Sequence, residues 1–187
     1  MPFDALENQM LAVFKERKTL EWIDVAPSLP EPHAKIRCIV SGVSAGTELM
    51  WYNGTAPALQ SGRKSYPYFP GYEFVGVVES VNLPDHYVGK LKELKIGDKV
   101  FAMKSHAITQ NLYDNDVWVK ISEGVSDINA LGIALTSTAI HAVRRAGSLM
   151  GKNVGVIGFG MLGAAIAQVS MSAGANVQII SRTRSKE

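Results

Sequence analysis

The chain has few of the residues that build covalent or metal-bound frameworks. Cys38 is its only cysteine, so no internal disulfide can form, and a cytoplasmic setting is expected. No apolar run approaches the roughly 20 residues needed to cross a membrane. The start, MPFDALENQM, is polar and partly acidic rather than signal-like, so neither a membrane nor export is expected. The net charge of +2 is too small to suggest nucleic acid, and no basic cluster precedes a series of stacking aromatics. The rest is ordinary: 47% hydrophobic and 19% charged residues over 187 positions, enough for one good core or two small ones. There is no internal repeat and no low-complexity segment.

Against that plain background one stretch stands out, Asn153–Arg184. The β-type run Val154–Ile157 turns at once into Gly158, Gly160 and Gly163, spaced G-x-G-x-x-G. Small apolar residues at helical spacing follow over Met161–Ala173, and a second β-rich run occupies Val177–Ile180. Strand, glycine turn, helix and strand within about thirty residues is the context that makes the motif a dinucleotide-binding one. Gly158 permits the tight turn. Gly160 lacks a Cβ, so the backbone can approach a pyrophosphate, and Gly163 lets the helix lie close to the sheet. The helix start at Met161 and Leu162 offers free N–H groups and the positive end of a dipole to the phosphates.

The end of the second strand lacks the carboxylate that usually holds the ribose 2′-hydroxyl of NAD about twenty residues past the glycines. It reads Ser181-Arg182-Thr183-Arg184. A hydroxyl and two guanidiniums suit a 2′-phosphate, which arginine can grip with paired charge-assisted bonds. The expected cofactor is therefore NADP(H), bound by Gly158, Gly160, Met161, Leu162, Gly163, Ser181, Arg182 and Arg184.

The preceding residues read as short strands. These are Met10–Phe14 and Leu20–Val25 around the charged turn Lys15–Lys18, then Ile36–Val40, Phe74–Val81, Val100–Met103 and Trp118–Ile121. Pro27–Pro32 is a proline loop. A short helix is expected at Glu48–Tyr52 and a polar loop at Asn53–Lys64. Several short strands with turn signals suggest a compact all-β barrel. The period changes at Asp127–Arg145, where Ile128, Leu131, Leu135, Ala139, Ala142 and Val143 recur at helical spacing. The domain boundary is expected between Ser122 and Ser126, giving an all-β domain over 1–123 and a dinucleotide-binding domain over 124–187.

Five stretches in this order resemble the medium-chain dehydrogenase/reductase family: Gly42–Glu48 (GVSAGTE), Pro70–Val78 (PGYEFVGVV), Ile96–Val100 (IGDKV), Thr136–Val143 (TSTAIHAV) and Val154–Gly163 (VGVIGFGMLG). The resemblance implies α/β architecture with an all-β part: a GroES-like barrel followed by the first βαβ unit of a Rossmann domain, with the active site in the cleft between them. It also implies an oxidoreductase. The zinc-using members take a Cys from the first motif, a His from the second and a Cys or Glu from the helix before the glycine strand. Here those places hold Ser44, Tyr72 and Ala134 or its neighbours. Of the acidic ligands only Glu73 is left, and one carboxylate does not make a zinc site. His106 and His141 are read as satisfied polar groups rather than ligands, so a zinc-free protein is expected.

Without a metal, Tyr72 is the first candidate to polarise a carbonyl, since a phenol can donate to a developing alkoxide. The alternative is a tyrosine packed under the nicotinamide with a structural hydroxyl bond. Ser44 and Thr47 either orient substrate or stabilise the loop and cap the following helix. Glu73 is expected to accept bonds from buried backbone or an arginine. Trp51, Tyr52, Tyr66 and Phe69 fit either an aromatic wall for substrate or simple loop packing. The tyrosine form of the second motif, together with the form of the first ending in Gly46-Thr47-Glu48, resembles enzymes such as bacteriochlorophyllide dehydrogenases, which points by analogy to a bulky secondary alcohol or ketone.

Two function classes follow. One is an NADP(H)-dependent oxidoreductase acting on a small molecule, a carbonyl, secondary alcohol or activated C=C. The other is a non-catalytic nucleotide- or partner-binding homologue. The sequence stops after one βαβ unit where two halves normally build six strands, so a fragment or truncated product is expected. Weak cofactor affinity and homo-oligomers or edge-strand self-association would follow.

Overall fold

A computed structural model describes residues 9–26 and 32–182. They form two compact units, Met1–Leu131 and Gly132–Glu187. The first opens with a hairpin of β1 (Gln9–Glu16) and β2 (Thr19–Val25), turned at Lys18 with φ 63°. Its centre is the antiparallel pair β3 (His33–Gly42) and β4 (Glu73–Asn82). Strands β5 (Lys99–Ala102), β6 (Thr109–Leu112) and β7 (Trp118–Lys120) complete a sheet in the order β6-β3-β4-β5-β7. The hairpin joins this sheet's surroundings through the bridges Leu11–Ala107 and Phe14–Tyr68.

The strand patterning explains the core. Inward positions Ile36, Phe74, Val78, Val100 and Leu112 are essentially sealed from solvent, each burial stabilising by about 1.5–3 kcal/mol. Leu91, from a single 3-10 turn at Lys90–Glu93, plugs the same core. A second cluster forms where α1 (Thr47–Tyr52) and α2 (Pro57–Gln60) meet β1. There Trp51 stacks on Tyr68 with ring centroids 3.8 Å apart, and Phe14 and Ala56 close the contact. The Tyr66 hydroxyl donates to the Trp51 carbonyl. Trp51, Tyr52 and Tyr66 therefore serve loop packing.

The helical stretch expected over Asp127–Arg145 is divided at Gly132 into α3 (Asp127–Leu131) and α4 (Ile133–Arg145), consistent with glycine's cost of about 1 kcal/mol inside a helix. Helix α3 packs on β3 and β4. The units accordingly divide after Leu131, later than the Ser122–Ser126 span suggested by the change of period. The second unit holds α4, β8 (Asn153–Ile157), α5 (Met161–Ser172) and β9 (Asn176–Ile180). Strands β8 and β9 are parallel, in register from Asn153–Asn176 to Ile157–Ile180. Ile157, Ile179 and Ile180 of this two-stranded sheet are exposed.

Candidate functional site

The glycine turn grows directly out of β8. The Gly158 N–H donates to the Ile180 carbonyl at 2.8 Å, which extends the parallel register by one step and sets the turn beside the end of β9. Gly158 has φ +98°, the region where a side chain would be strained. A Cβ on Gly163 would lie 2.1 Å from the Gly158 carbonyl oxygen, so helix and turn are in direct backbone contact. Gly160 is different. Its backbone is extended, and a Cβ there would meet nothing within 4 Å. Open space over Gly160 and uncapped first-turn N–H groups of the 12-residue α5 fit a bound diphosphate. Ser181 and Arg182 follow β9 immediately and are exposed, next to the turn through the Gly158–Ile180 bond. Arg184 lies outside the described residues.

The first unit brings a second set of groups together. Gly42 and Glu73 are register partners at the ends of β3 and β4, and a Cβ on Gly42 would sit 2.5 Å from Glu73 Oε2. The Glu73 carboxyl thus packs on the first residue of the loop that runs to Thr47. From α1, Glu48 turns inward and is 3% exposed. The Ser44 N–H donates to its Oε1 at 3.2 Å, and its Oε2 lies 2.8 Å from His106 Nε2. His106 Nδ1 in turn faces the Ser41 hydroxyl, which also reaches the Glu73 carbonyl oxygen at 3.2 Å. The backbone N–H of His106 donates to the Pro70 carbonyl at 2.9 Å, and Gly71 (φ +110°) leaves no room for a Cβ against that nitrogen. Loop 42–48, segment 70–73 and the His106 turn are knotted by these few bonds.

Glu73 does not behave as its sequence context suggests. Among the described residues its buried Oε1 has no hydrogen-bond partner, backbone or arginine. Burial and then the nearby Glu48 charge push the Glu73 carboxyl up, while His106 partly offsets them. Tyr68 is also pushed up, by burial first and then by Glu48 and Tyr72. Ser44 takes a loop-holding part, its hydroxyl accepting the Thr47 N–H at 3.3 Å at the start of α1. Thr47 is exposed and Tyr72 half-buried. Among the described residues no three His, Cys, Asp or Glu side chains are grouped to hold a metal ion. Nothing in the sequence marks Glu48 and Ser41 as members of this cluster, and His106 reads there as a lone satisfied group. No local motif links these positions; the β3–β4 register and the turn after β5 do.

A doubly structured chain of this kind, a GroES-like sheet unit followed by the start of a Rossmann unit, has the fold of the medium-chain dehydrogenase/reductase class. An alcohol dehydrogenase from Thermotoga maritima superposes with a TM-score of 0.75 at 20% identity, over 94% of this chain and 58% of that one. The quinone oxidoreductase of Thermus thermophilus, solved also with NADPH, gives 0.67 at 24% identity over 92% and 53%. The 2R,3R-butanediol dehydrogenase of Bacillus subtilis gives 0.70 at 17% identity over 96% and 65%. The chain thus spans somewhat more than half the length of such enzymes. The family described as "3-hydroxyacyl-CoA dehydrogenase, NAD binding domain" matches residues 153–187, the segment that carries the glycine turn. No curated protein matches the chain by sequence. Among the described residues no helix is long and apolar enough to cross a membrane.

Proposed function

We propose that this chain works in an NADP(H)-dependent oxidoreductase that moves hydride between nicotinamide and a carbonyl or secondary alcohol, or an activated C=C, without zinc. The observation that carries the reading is the glycine turn with Ser181 and Arg182 set beside it by the Gly158–Ile180 bond. The diphosphate would rest on Gly160 and the α5 N-terminus, and Arg182 would meet the 2′-phosphate with charge-assisted bonds. Arg184 is assigned the same task from its place in the sequence. The coenzyme supplies the hydride; the protein's part is to seat it and to offer polar groups to the substrate, for which Tyr72, Ser44 and Thr47 are the candidates. Ser44 and Tyr72 in place of zinc ligands support metal-free chemistry.

Fluorescence titration of NADPH and NADH against the chain tests the cofactor. Tighter binding of NADPH is expected, and equal binding or a preference for NADH would refute the assignment. Metal analysis of the purified protein tests the zinc reading, which stoichiometric zinc would overturn.

A further inference from the structure

We propose that Glu73, Glu48 and His106 form a proton-binding site in the first unit, in which Glu73 is held as a neutral carboxylic acid and its proton keeps the Ser44–Thr47 loop in place. The geometry begins with two carboxyls buried together, Glu48 at 3% and Glu73 at 5% exposure. They face a single imidazole. His106 Nε2 is committed to Glu48 at 2.8 Å, and its other nitrogen to Ser41. Glu48 uses its second oxygen on the Ser44 N–H. Nothing remains for Glu73 Oε1, which is buried and unpartnered among the described residues.

An ionised carboxylate with an orphaned buried oxygen is costly, whereas a neutral acid carries far less charge to solvate. The titratable groups around Glu73 are few: Glu48 from α1, His106 from the turn after β5, and beyond Glu48 the phenols Tyr68 and Tyr72. Only His106 favours the charged form, and it is already bonded to Glu48. The upward displacement of Glu73 by burial and by Glu48 agrees with this. Removing the proton would set two carboxylates against each other beneath the loop that Glu48 holds through Ser44 and that Gly42 presses on Glu73. Proton occupancy and loop position are therefore linked.

The linkage has a definite sign. Below about pH 4.3, the usual glutamate value, folded and unfolded chains both carry this proton and the site adds no pH dependence. As pH rises the unfolded chain ionises first, so the folded state loses stability until it too releases the proton. Glu73→Gln keeps the shape of the neutral acid and has no proton to lose. Urea denaturation of both proteins from about pH 5 to about pH 8 should show the midpoint of Glu73→Gln rising relative to the wild type; a constant difference would overturn the proposal.

Infrared spectra of the wild-type protein keep the question decidable if that variant folds poorly. A protonated-carboxyl carbonyl band is expected to persist above the pH at which ordinary glutamates lose theirs, and its loss at the ordinary glutamate pH would overturn the proposal. Glu48→Gln removes the facing negative charge and should therefore move the loss of that band to lower pH. An unmoved or upward-shifted loss would show that repulsion from Glu48 does not hold the proton on Glu73. The loop role rests on the oxidoreductase reading, but these measurements use no coenzyme, so either can fail while the other stands.

Discussion

Two alanine substitutions in the glycine turn separate its architecture from its ligand. A Cβ on Gly163 would stand 2.1 Å from the Gly158 carbonyl oxygen, where ordinary contact begins at 3.4 Å. The shortfall falls on backbone, so α5 must lift from β8 or the Gly158 peptide must turn. Overpacking of this kind costs about 1–3 kcal/mol, against about 1 kcal/mol gained from alanine's better helix propensity. Gly163→Ala should lower the melting temperature and weaken coenzyme binding together. Gly160→Ala should behave otherwise. Its φ of −85° and ψ of −177° suit alanine, and no atom lies within 4 Å of the new methyl. A reduced unfolded-state entropy stabilises by about 0.4–1 kcal/mol, and a poorer helix cap costs a similar amount, so the melting temperature should barely move. A methyl where the diphosphate rests should still weaken NADPH binding about tenfold or more, at least about 1.4 kcal/mol. Thermal melts and NADPH fluorescence titration on both proteins decide it. Unchanged affinity in a stable Gly160→Ala protein would show that the diphosphate does not sit there.

Arg182→Ala should weaken NADPH binding about tenfold, the worth of one charge-assisted phosphate contact, while leaving NADH nearly unchanged by the same titration. Glu48→Ala would strip His106 Nε2 and the Ser44 N–H of a buried partner; a loss of about 1–3 kcal/mol per orphaned group is expected in urea denaturation. Lys120, with the Lys95 N–H, holds the Asp98 carboxyl below its ordinary value. That support is present at neutral pH and is lost as acid protonates the folded carboxylate, so Asp98→Asn should melt lower than wild type at neutral pH and converge with it in acid. Self-association through the exposed Ile179 and Ile180 of β9 is a further prediction: Ile180→Lys should shift sedimentation toward monomer.

The two units are legible to different degrees for a physical reason. The β8–α5–β9 unit is built from contacts between near neighbours in the chain, and its glycines announce backbone geometry directly: a positive φ at Gly158 and a helix pressed on a carbonyl at Gly163. Such information is local, and the sequence carries it in the open. The sheet unit is readable as strands wherever β-branched and apolar residues alternate, as in β3 and β4. It is unreadable at Thr109–Leu112, whose TQNL hides a strand behind polar letters although Gln110 and Asn111 are buried. The turn Pro57–Gln60 reads as loop in the sequence because so short a helix sets no period.

The polar cluster shows the limit most clearly. Ser41, Glu48, Glu73 and His106 are scattered along half of the first unit, and each has an ordinary local context. They meet because Gly42 pairs with Glu73 across the β3–β4 ladder, because α1 turns Glu48 back under the loop, and because the backbone N–H of His106 is tied to the Pro70 carbonyl. Each tie is a backbone or register constraint that exists only after the sheet has formed. The nearest sequence clue is Glu73 beside Tyr72, and it points to a satisfied acceptor. An orphaned oxygen is a statement about which partners failed to arrive, and only the folded arrangement can make it.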